Sequence, residues 1–126
     1  MSPRALLPVG QAGIAALAAS LITLDQLLKK YLTAQPAPAH VPVYVSIAIL
    51  VTTCFYLYKG KDRPYTQIFL TLIIAGAFSN LVDQVVDGAI LDPFSLGRVQ
   101  YNLADLAIII GALGILVNLP TKMTRE

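Results

Sequence analysis

The stretch YTQIFLTLIIAGAFSNLVDQVV, residues 65–86, decides the fold of this chain. Crossing the roughly 30 Å hydrocarbon core of a bilayer takes about 20 mostly apolar residues of helix, and this run meets that length. Near its end the run carries Asn80 and Asp83 at the i, i+3 spacing that places both side chains on one helix face. The stretch therefore predicts a transmembrane helix with a polar face at one end.

Three further apolar runs accompany this one. The predicted helices cover about Val9 to Leu32, Val41 to Tyr58, Tyr65 to Val86, and Asn102 to Leu119. With 56% hydrophobic and 13% charged residues, the chain has too little polar surface for a water-soluble globule. The sequence predicts an all-α membrane protein of four transmembrane helices in a single domain, residues 1–126. A cleaved signal peptide is the rival interpretation of the first run, and it is disfavoured because the run continues into Asp25.

Basic residues predict the orientation of the helices. Six Lys and Arg residues lie on one side of the predicted membrane: Arg4, Lys59, Lys61, Arg63, Lys122 and Arg125. Three lie on the other: Lys29, Lys30 and Arg98. The excess places both termini in the cytoplasm. The net charge of +2 is too small to indicate a nucleic-acid partner, and the single Cys54 is predicted to be a buried packing residue.

Ionisable side chains interrupt the predicted helices, although each costs about 2.5 to 3.5 kcal/mol near the bilayer centre. Together with the polar residues beside them and the loop residue Asp92, they are predicted to gather at one membrane face: Asp25, Lys29, Asn80, Asp83, Asn102 and Asp105. Local explanations exist for the Asp25–Lys29 pair and for Asn102. Lys29 at i+4 from Asp25 could neutralise it while snorkelling to the interface, and Asn102 could cap the fourth helix. Neither explains why Asp83, Asp92 and Asp105 converge.

Grouped carboxylates indicate three chemistries, namely metal binding, proton or cation transport, and aspartyl proteolysis. Metal binding is the least favoured because the one histidine, His40, lies in a Pro- and Ala-rich linker, and no cofactor or metal is predicted. Two close carboxylates share one proton, so one acts as acid while the other acts as base. A carrier would place its acid near the bilayer midplane, whereas these residues are predicted at the outer boundary.

Three segments resemble the signatures of the lipoprotein signal peptidases (signal peptidase II). Residues 75–84, AGAFSNLVDQ, followed by residues 88–92, GAILD, resemble that family's small-residue run, Asn-x-x-Asp-Arg and Gly-x-Val-x-Asp-Phe. Residues 101–105, YNLAD, with Gly111 beyond them, resemble its Phe-Asn-x-Ala-Asp motif. Residues 25–29, DQLLK, resemble its Asp-Gln-x-Thr/Ser-Lys motif. The three motifs stand in the family's order on the predicted helices.

The resemblance implies an intramembrane aspartyl endopeptidase of the bacterial inner membrane, with its site near the outer leaflet. Its substrates would be the signal peptides of diacylglyceryl-modified prolipoproteins, met within membrane lipid. Asp92 and Asp105 would be the catalytic pair, inside a polar shell of Asn80, Asp83 and Asn102, with Asp25 and Lys29 in support. A non-catalytic relative that binds lipoprotein signal helices, and a small proton- or cation-coupled carrier, remain the alternatives.

The sequence departs from the family pattern at several positions. Gln84 stands where the family has Arg, Ser79 where it usually has Gly, Leu28 where it has Thr or Ser, and Pro93 where it has an aromatic residue. Gln84 removes a fixed positive charge beside Asp83. The connection between the first two helices is reduced to residues 33–42, so the family's substrate cradle is predicted to be missing or minimal.

Overall fold

The structure is a computed structural model, and it describes residues 10–32, 34–36, 42–59 and 64–118. Within these ranges the chain forms four helices: α1 (Gln11–Tyr31), α2 (Val43–Lys59), α3 (Pro64–Asp87) and α4 (Leu103–Val117). Four short strands accompany them: β1 (Gln35–Pro36), β2 (Leu91–Asp92), β3 (Phe94–Leu96) and β4 (Val99–Tyr101). The prediction of four helices is confirmed for the described residues, whereas the strands were not predicted.

The helices differ in whether their length suffices to cross a membrane. Helix α1 and residues Tyr65–Asp87 of α3 are long and apolar enough, with mean hydropathies of 1.4 and 1.7. Helices α2 and α4 are apolar but shorter, at 17 and 15 residues. At 1.5 Å per residue, α4 extends over only about 23 Å. That all four helices cross the membrane, with both termini in the cytoplasm, stays a prediction.

The distribution of polar side chains is the reverse of that in a soluble protein. Among the described residues, ten polar or charged side chains are buried, against five hydrophobic ones. Large apolar side chains such as Val51 (64% exposed), Phe55 (57%) and Leu116 (65%) cover the outside. Exposing so much apolar surface to water is unfavourable, whereas exposing it to lipid is not. One expectation is wrong here: Cys54 is exposed on α2 rather than buried.

Helix α3 lies at the centre of the bundle and contacts the other three helices. Two glycines let α3 and α4 approach closely. A Cβ added at Gly76 would lie 2.5 Å from the carbonyl oxygen of Ala104, and one added at Gly111 would lie 2.5 Å from that of Phe69. Both contacts are with backbone atoms, which cannot move aside easily, so these glycines hold the two helices in register.

Replacing Gly111 by alanine should therefore destabilise the protein, by about 1 to 3 kcal/mol, because the added methyl group overpacks the α3–α4 interface. Thermal unfolding in detergent micelles would measure this as a lower Tm. Gly10→Ala is the matched control, since a Cβ there meets no atom within 4 Å. Equal Tm values for the two variants would contradict close packing at Gly111.

Short antiparallel strands connect the helix ends next to the buried polar residues. Strand β1, after α1, pairs with β2, so that Gln35 lies opposite Asp92. Strands β3 and β4 form a hairpin in which Phe94 pairs with Tyr101 and their rings stack at 5.4 Å. Gly88, just after α3, has a positive φ of 76°, which suits a helix C-terminus that must turn sharply. The reduced α1–α2 connection thus reaches the segment that carries Asp92.

Several residues used in the sequence predictions lie outside the described ranges. They are His40 and the basic residues Arg4, Lys61, Arg63, Lys122 and Arg125.

Candidate active site

A buried ammonium group forms the centre of the polar cluster. Lys29 on α1 is 3% exposed, and its Nζ lies 2.5 Å from Oδ2 of Asp25 and 2.5 Å from Oδ2 of Asp83 on α3. The same Nζ donates to Oδ1 of Asn80 at 3.2 Å. Lys29 therefore does not snorkel to the interface. It joins α1 to α3 by pairing two carboxylates that are both fully buried.

The carboxylate of Asp25 connects three helices. Its Oδ2 accepts a hydrogen bond from the hydroxyl of Ser79 on α3 at 2.6 Å. Its Oδ1 accepts one from the backbone N–H of Ala104 at 3.0 Å, in the first turn of α4. The N–H groups of a first helical turn have no partner within the helix, and a negative charge is favourable there. Asp25 thus holds the beginning of α4 against α1 and α3.

Asp83 is surrounded by hydrogen-bond donors. The side-chain amide of Gln26 donates to its Oδ1 at 3.0 Å, and the backbone N–H of Leu91 donates to its Oδ2 at 3.1 Å. Leu91 directly precedes Asp92, so Asp83 fixes the strand that carries the candidate catalytic residue. The family's Arg is absent, but Lys29 supplies a cation beside Asp83.

Two asparagines connect this charged centre to the candidate catalytic pair. Asn102 caps α4, since its Oδ1 accepts from the N–H of Asp105 at 2.7 Å and its own N–H donates to Oδ2 of Asp105 at 3.2 Å. This capping box confirms the expected capping role. The Nδ2 of Asn102 also donates to Oδ1 of Asp92 at 2.9 Å. Asn80 donates to Oδ1 of Asp105 at 3.3 Å and accepts from Asn102 at 3.1 Å.

Asp92 and Asp105 are therefore both hydrogen-bonded to Asn102. Asp92 contacts only the side chain of Asn102, whereas Asp105 contacts its side chain and its backbone N–H. Asp92 lies outside the helices and is 6% exposed. Burial and, after it, the nearby charge of Asp105 raise the pKa of Asp92 from 3.8 to about 6, although the hydrogen bond from Asn102 opposes the rise. A carboxyl group with a raised pKa beside a second carboxyl group can act as the acid of an acid–base pair.

The structure brings all seven predicted site residues into one network, and it adds two that were not predicted. Gln26 donates a hydrogen bond to Asp83, and Ser79 donates one to Asp25. Gln26 also donates to the hydroxyl of Ser79 at 2.8 Å. Within the described part of the chain, every buried side-chain nitrogen and oxygen has a hydrogen-bond partner. Gln84, which stands where the family has Arg, accepts a hydrogen bond from Ser46 of α2 at 2.7 Å.

Comparison with known proteins assigns a family to this geometry. The sequence model of signal peptidase II matches residues 33–120, which is more than half of the chain. The chain belongs to the signal peptidase II family. The match includes α2, α3, α4 and the strands β1 to β4, and thus Asp92 and Asp105. It begins after α1, which joins the rest of the site through Asp25, Gln26 and Lys29.

Individual relatives are all named lipoprotein signal peptidase, and they align with this chain over different fractions of their length. The lipoprotein signal peptidase of Moorella thermoacetica is 36% identical over 84 residues, which are 65% of this chain and 55% of that protein. That of Streptococcus pneumoniae is 26% identical over 137 residues, covering 82% of this chain and 90% of that protein. That of Staphylococcus haemolyticus is 30% identical over 78 residues, 49% of its length. The chain thus spans about half the length of the first and third relatives.

Solved structures show that the fold is shared as well. A bacterial membrane enzyme determined by the in meso method at 2.3 Å resolution superposes with a TM-score of 0.76 at 18% identity, covering 92% of each chain. A second such structure, at 1.9 Å resolution, gives a TM-score of 0.73. The shared fold, the family match and the apolar outer surface together identify this member of the signal peptidase II family as an integral membrane protein.

Proposed function

We propose that this protein is an intramembrane aspartyl endopeptidase that removes the signal peptide of diacylglyceryl-modified prolipoproteins. The observation that carries the proposal is that Asp92 and Asp105 are both hydrogen-bonded to Asn102. Burial also raises the pKa of Asp92. Family membership supplies the substrate class, since the relatives are named lipoprotein signal peptidases. The carrier alternative is not favoured by these findings.

In the proposed reaction Asp92 holds the proton of the pair and Asp105 is the carboxylate. Asp105 accepts two N–H hydrogen bonds, from Asn80 and from the Asn102 backbone, and such bonds favour a charged carboxylate. Asp92 accepts one, from the Asn102 side chain. Asn80 and Asn102 thus orient the pair, while Lys29, held by Asp25 and Asp83, supplies a positive charge that offsets part of the negative charge of the buried carboxylates.

The proton transfers follow from these roles. Asp105 takes a proton from a water molecule as the water oxygen bonds to the scissile carbonyl carbon, and Asp92 donates its proton to the carbonyl oxygen. The tetrahedral intermediate then collapses. The proton on Asp105 moves to the leaving nitrogen as the C–N bond breaks, and the hydroxyl proton returns to Asp92. The pair ends in its starting state, with water consumed and no cofactor required.

The proposed location is the bacterial inner membrane, with several crossings, both termini in the cytoplasm and the site towards the outer face. The excess of Lys and Arg residues on one side of the predicted membrane supports this orientation. The substrate would then meet Asp92 and Asp105 from within the membrane, because the helices of the bundle expose large apolar side chains that suit a lipid environment.

The raised pKa of Asp92 predicts a pH dependence of stability. The folded protein keeps a proton on Asp92 up to about pH 6, whereas the unfolded chain loses it near pH 3.8. Folding therefore binds a proton between these values, and the free energy of unfolding should decrease as the pH rises from about 4 to 6. Thermal unfolding of the wild type and Asp92→Asn across this range isolates the effect. Parallel curves for the two proteins would contradict the raised pKa.

The function can be tested in a bacterium depleted of its own lipoprotein signal peptidase. Expression of this chain should restore processing, seen by mass spectrometry as lipoproteins that begin at the lipidated cysteine. Expression of Asp92→Asn to the same level in the membrane should not. Accumulation of uncut prolipoprotein bound to the wild-type chain would instead favour the non-catalytic relative.

A further inference from the structure

Ser79 occupies a position in the network that the catalytic assignment leaves unexplained. It is fully buried on α3, one helical turn before Asp83. Its hydroxyl donates to Oδ2 of Asp25 at 2.6 Å and accepts from Nε2 of Gln26 at 2.8 Å. Gln26 also donates to the carbonyl oxygen of Ser79 at 3.1 Å. A serine hydroxyl has one proton to donate, and this geometry directs it to Asp25.

The contact with Asp25 extends to the candidate catalytic residue. A carboxylate is planar and rigid, so fixing Oδ2 also fixes the direction of Oδ1. That second oxygen accepts from the N–H of Ala104, the residue before Asp105. A continuous path of two hydrogen bonds therefore runs from the Ser79 hydroxyl through Asp25 to the first turn of α4.

Other contacts of Asp25 cannot replace the hydroxyl. Its second partner at Oδ2 is Lys29, whose Nζ is shared with Asp83 and Asn80 and is carried by the same helix as Asp25. An ammonium group is a compact charge that fixes no direction, whereas a buried hydroxyl from another helix does. Loss of the hydroxyl would leave Asp25 free to move with Lys29 and away from Ala104.

We propose that Ser79 is a positioning residue, which acts through Asp25 to hold the first turn of α4 and hence Asp105 in its reactive position. The inference rests on the proposed peptidase function. Since Ser79 is separated from Asp105 by Asp25 and Ala104, it should govern the rate of the chemical step and leave substrate binding unchanged. Misplacement of a reacting group by even 1 Å can cost 100-fold in rate.

Cleavage of a diacylglyceryl-modified prolipoprotein by the purified chain in micelles tests this role. Ser79→Ala should lower kcat roughly 10-fold to 100-fold with KM unchanged, as expected for loss of a hydrogen bond to a charged group. Ser46→Ala is the matched control, because Ser46 is also buried in a helix but bonds to Gln84. It should keep kcat within about twofold of the wild type.

A double-mutant cycle separates positioning from a structural effect. In the Asp25→Asn background, Ser79→Ala should have little further effect on kcat if the hydroxyl acts through Asp25. Additive losses, or an unchanged kcat for Ser79→Ala, would overturn the inference. Should Ser79→Ala prove unstable, Ser79→Cys keeps the shape with a weaker donor and should show a smaller loss of kcat. Absence of cleavage by the wild type would instead refute the proposed function.

Discussion

Asp92→Asn and Asp105→Asn should each lower kcat by about a thousandfold or more, while the protein still folds. An amide is close in size to a carboxyl group, so packing is kept. It can neither hold the proton that Asp92 donates nor accept the proton that Asp105 takes from water. Because the two residues act as one unit, the double variant should be little worse than either single variant. The measurement is kcat for prolipoprotein cleavage in micelles.

Asp87→Asn serves as the control for these variants. Asp87 is the last residue of α3, and it is exposed directly before the connection that carries Asp92. Its replacement removes a carboxylate from the region and should leave kcat within about twofold, since exposed substitutions rarely have large effects. Cleavage by Asp92→Asn or Asp105→Asn at the rate of Asp87→Asn would show that the pair is not catalytic.

Lys29→Met should cost more stability than any surface substitution, about 3 to 5 kcal/mol. Methionine matches the length of the lysine stem but leaves the buried carboxylates of Asp25 and Asp83 without their shared cation. The expected result is a large fall in Tm in micelles, or failure to accumulate as a folded protein in the membrane.

The neighbouring Lys30→Met is the matched control, because Lys30 is exposed on the same helix turn. It makes the same chemical change and should shift Tm little. Lys29→Met combined with Asp83→Asn should recover part of the lost stability, since one of the two unpaired charges is then removed. If Lys29→Met and Lys30→Met had the same Tm, Lys29 would not be the ion that holds the cluster together.

The helices could be predicted because their apolar runs are long and end at polar or Pro-containing segments. The strands could not, because β1 and β2 have two residues each and no periodic pattern. The pairing of β1 with β2 nevertheless shows where the reduced α1–α2 connection lies. The sequence predicted that the reduced α1–α2 connection leaves a minimal cradle, and in the structure Gln35 of that connection pairs with Asp92.

The residues of the candidate site could be predicted from ionisable groups in apolar runs, but their hydrogen-bond and ion-pair partners could not. The i, i+4 spacing of Asp25 and Lys29 favoured a local pair near the interface, whereas Lys29 also reaches Asp83 on another helix. Gln26 and Ser79 carried a usable signal, because each lies one helical turn before a charged site residue, Lys29 and Asp83. Contacts between helices depend on their packing, which sequence spacing does not contain.

The most direct test of the peptidase assignment is mass analysis of the product formed when the purified chain meets a diacylglyceryl-modified prolipoprotein. Wild type, Asp92→Asn and Asp105→Asn are compared, each verified as folded by its Tm. The assignment predicts one new peptide end, directly before the lipidated cysteine, with the wild type alone. Product from either variant at the wild-type rate, or none from a folded wild type, would contradict an aspartyl peptidase built on Asp92 and Asp105.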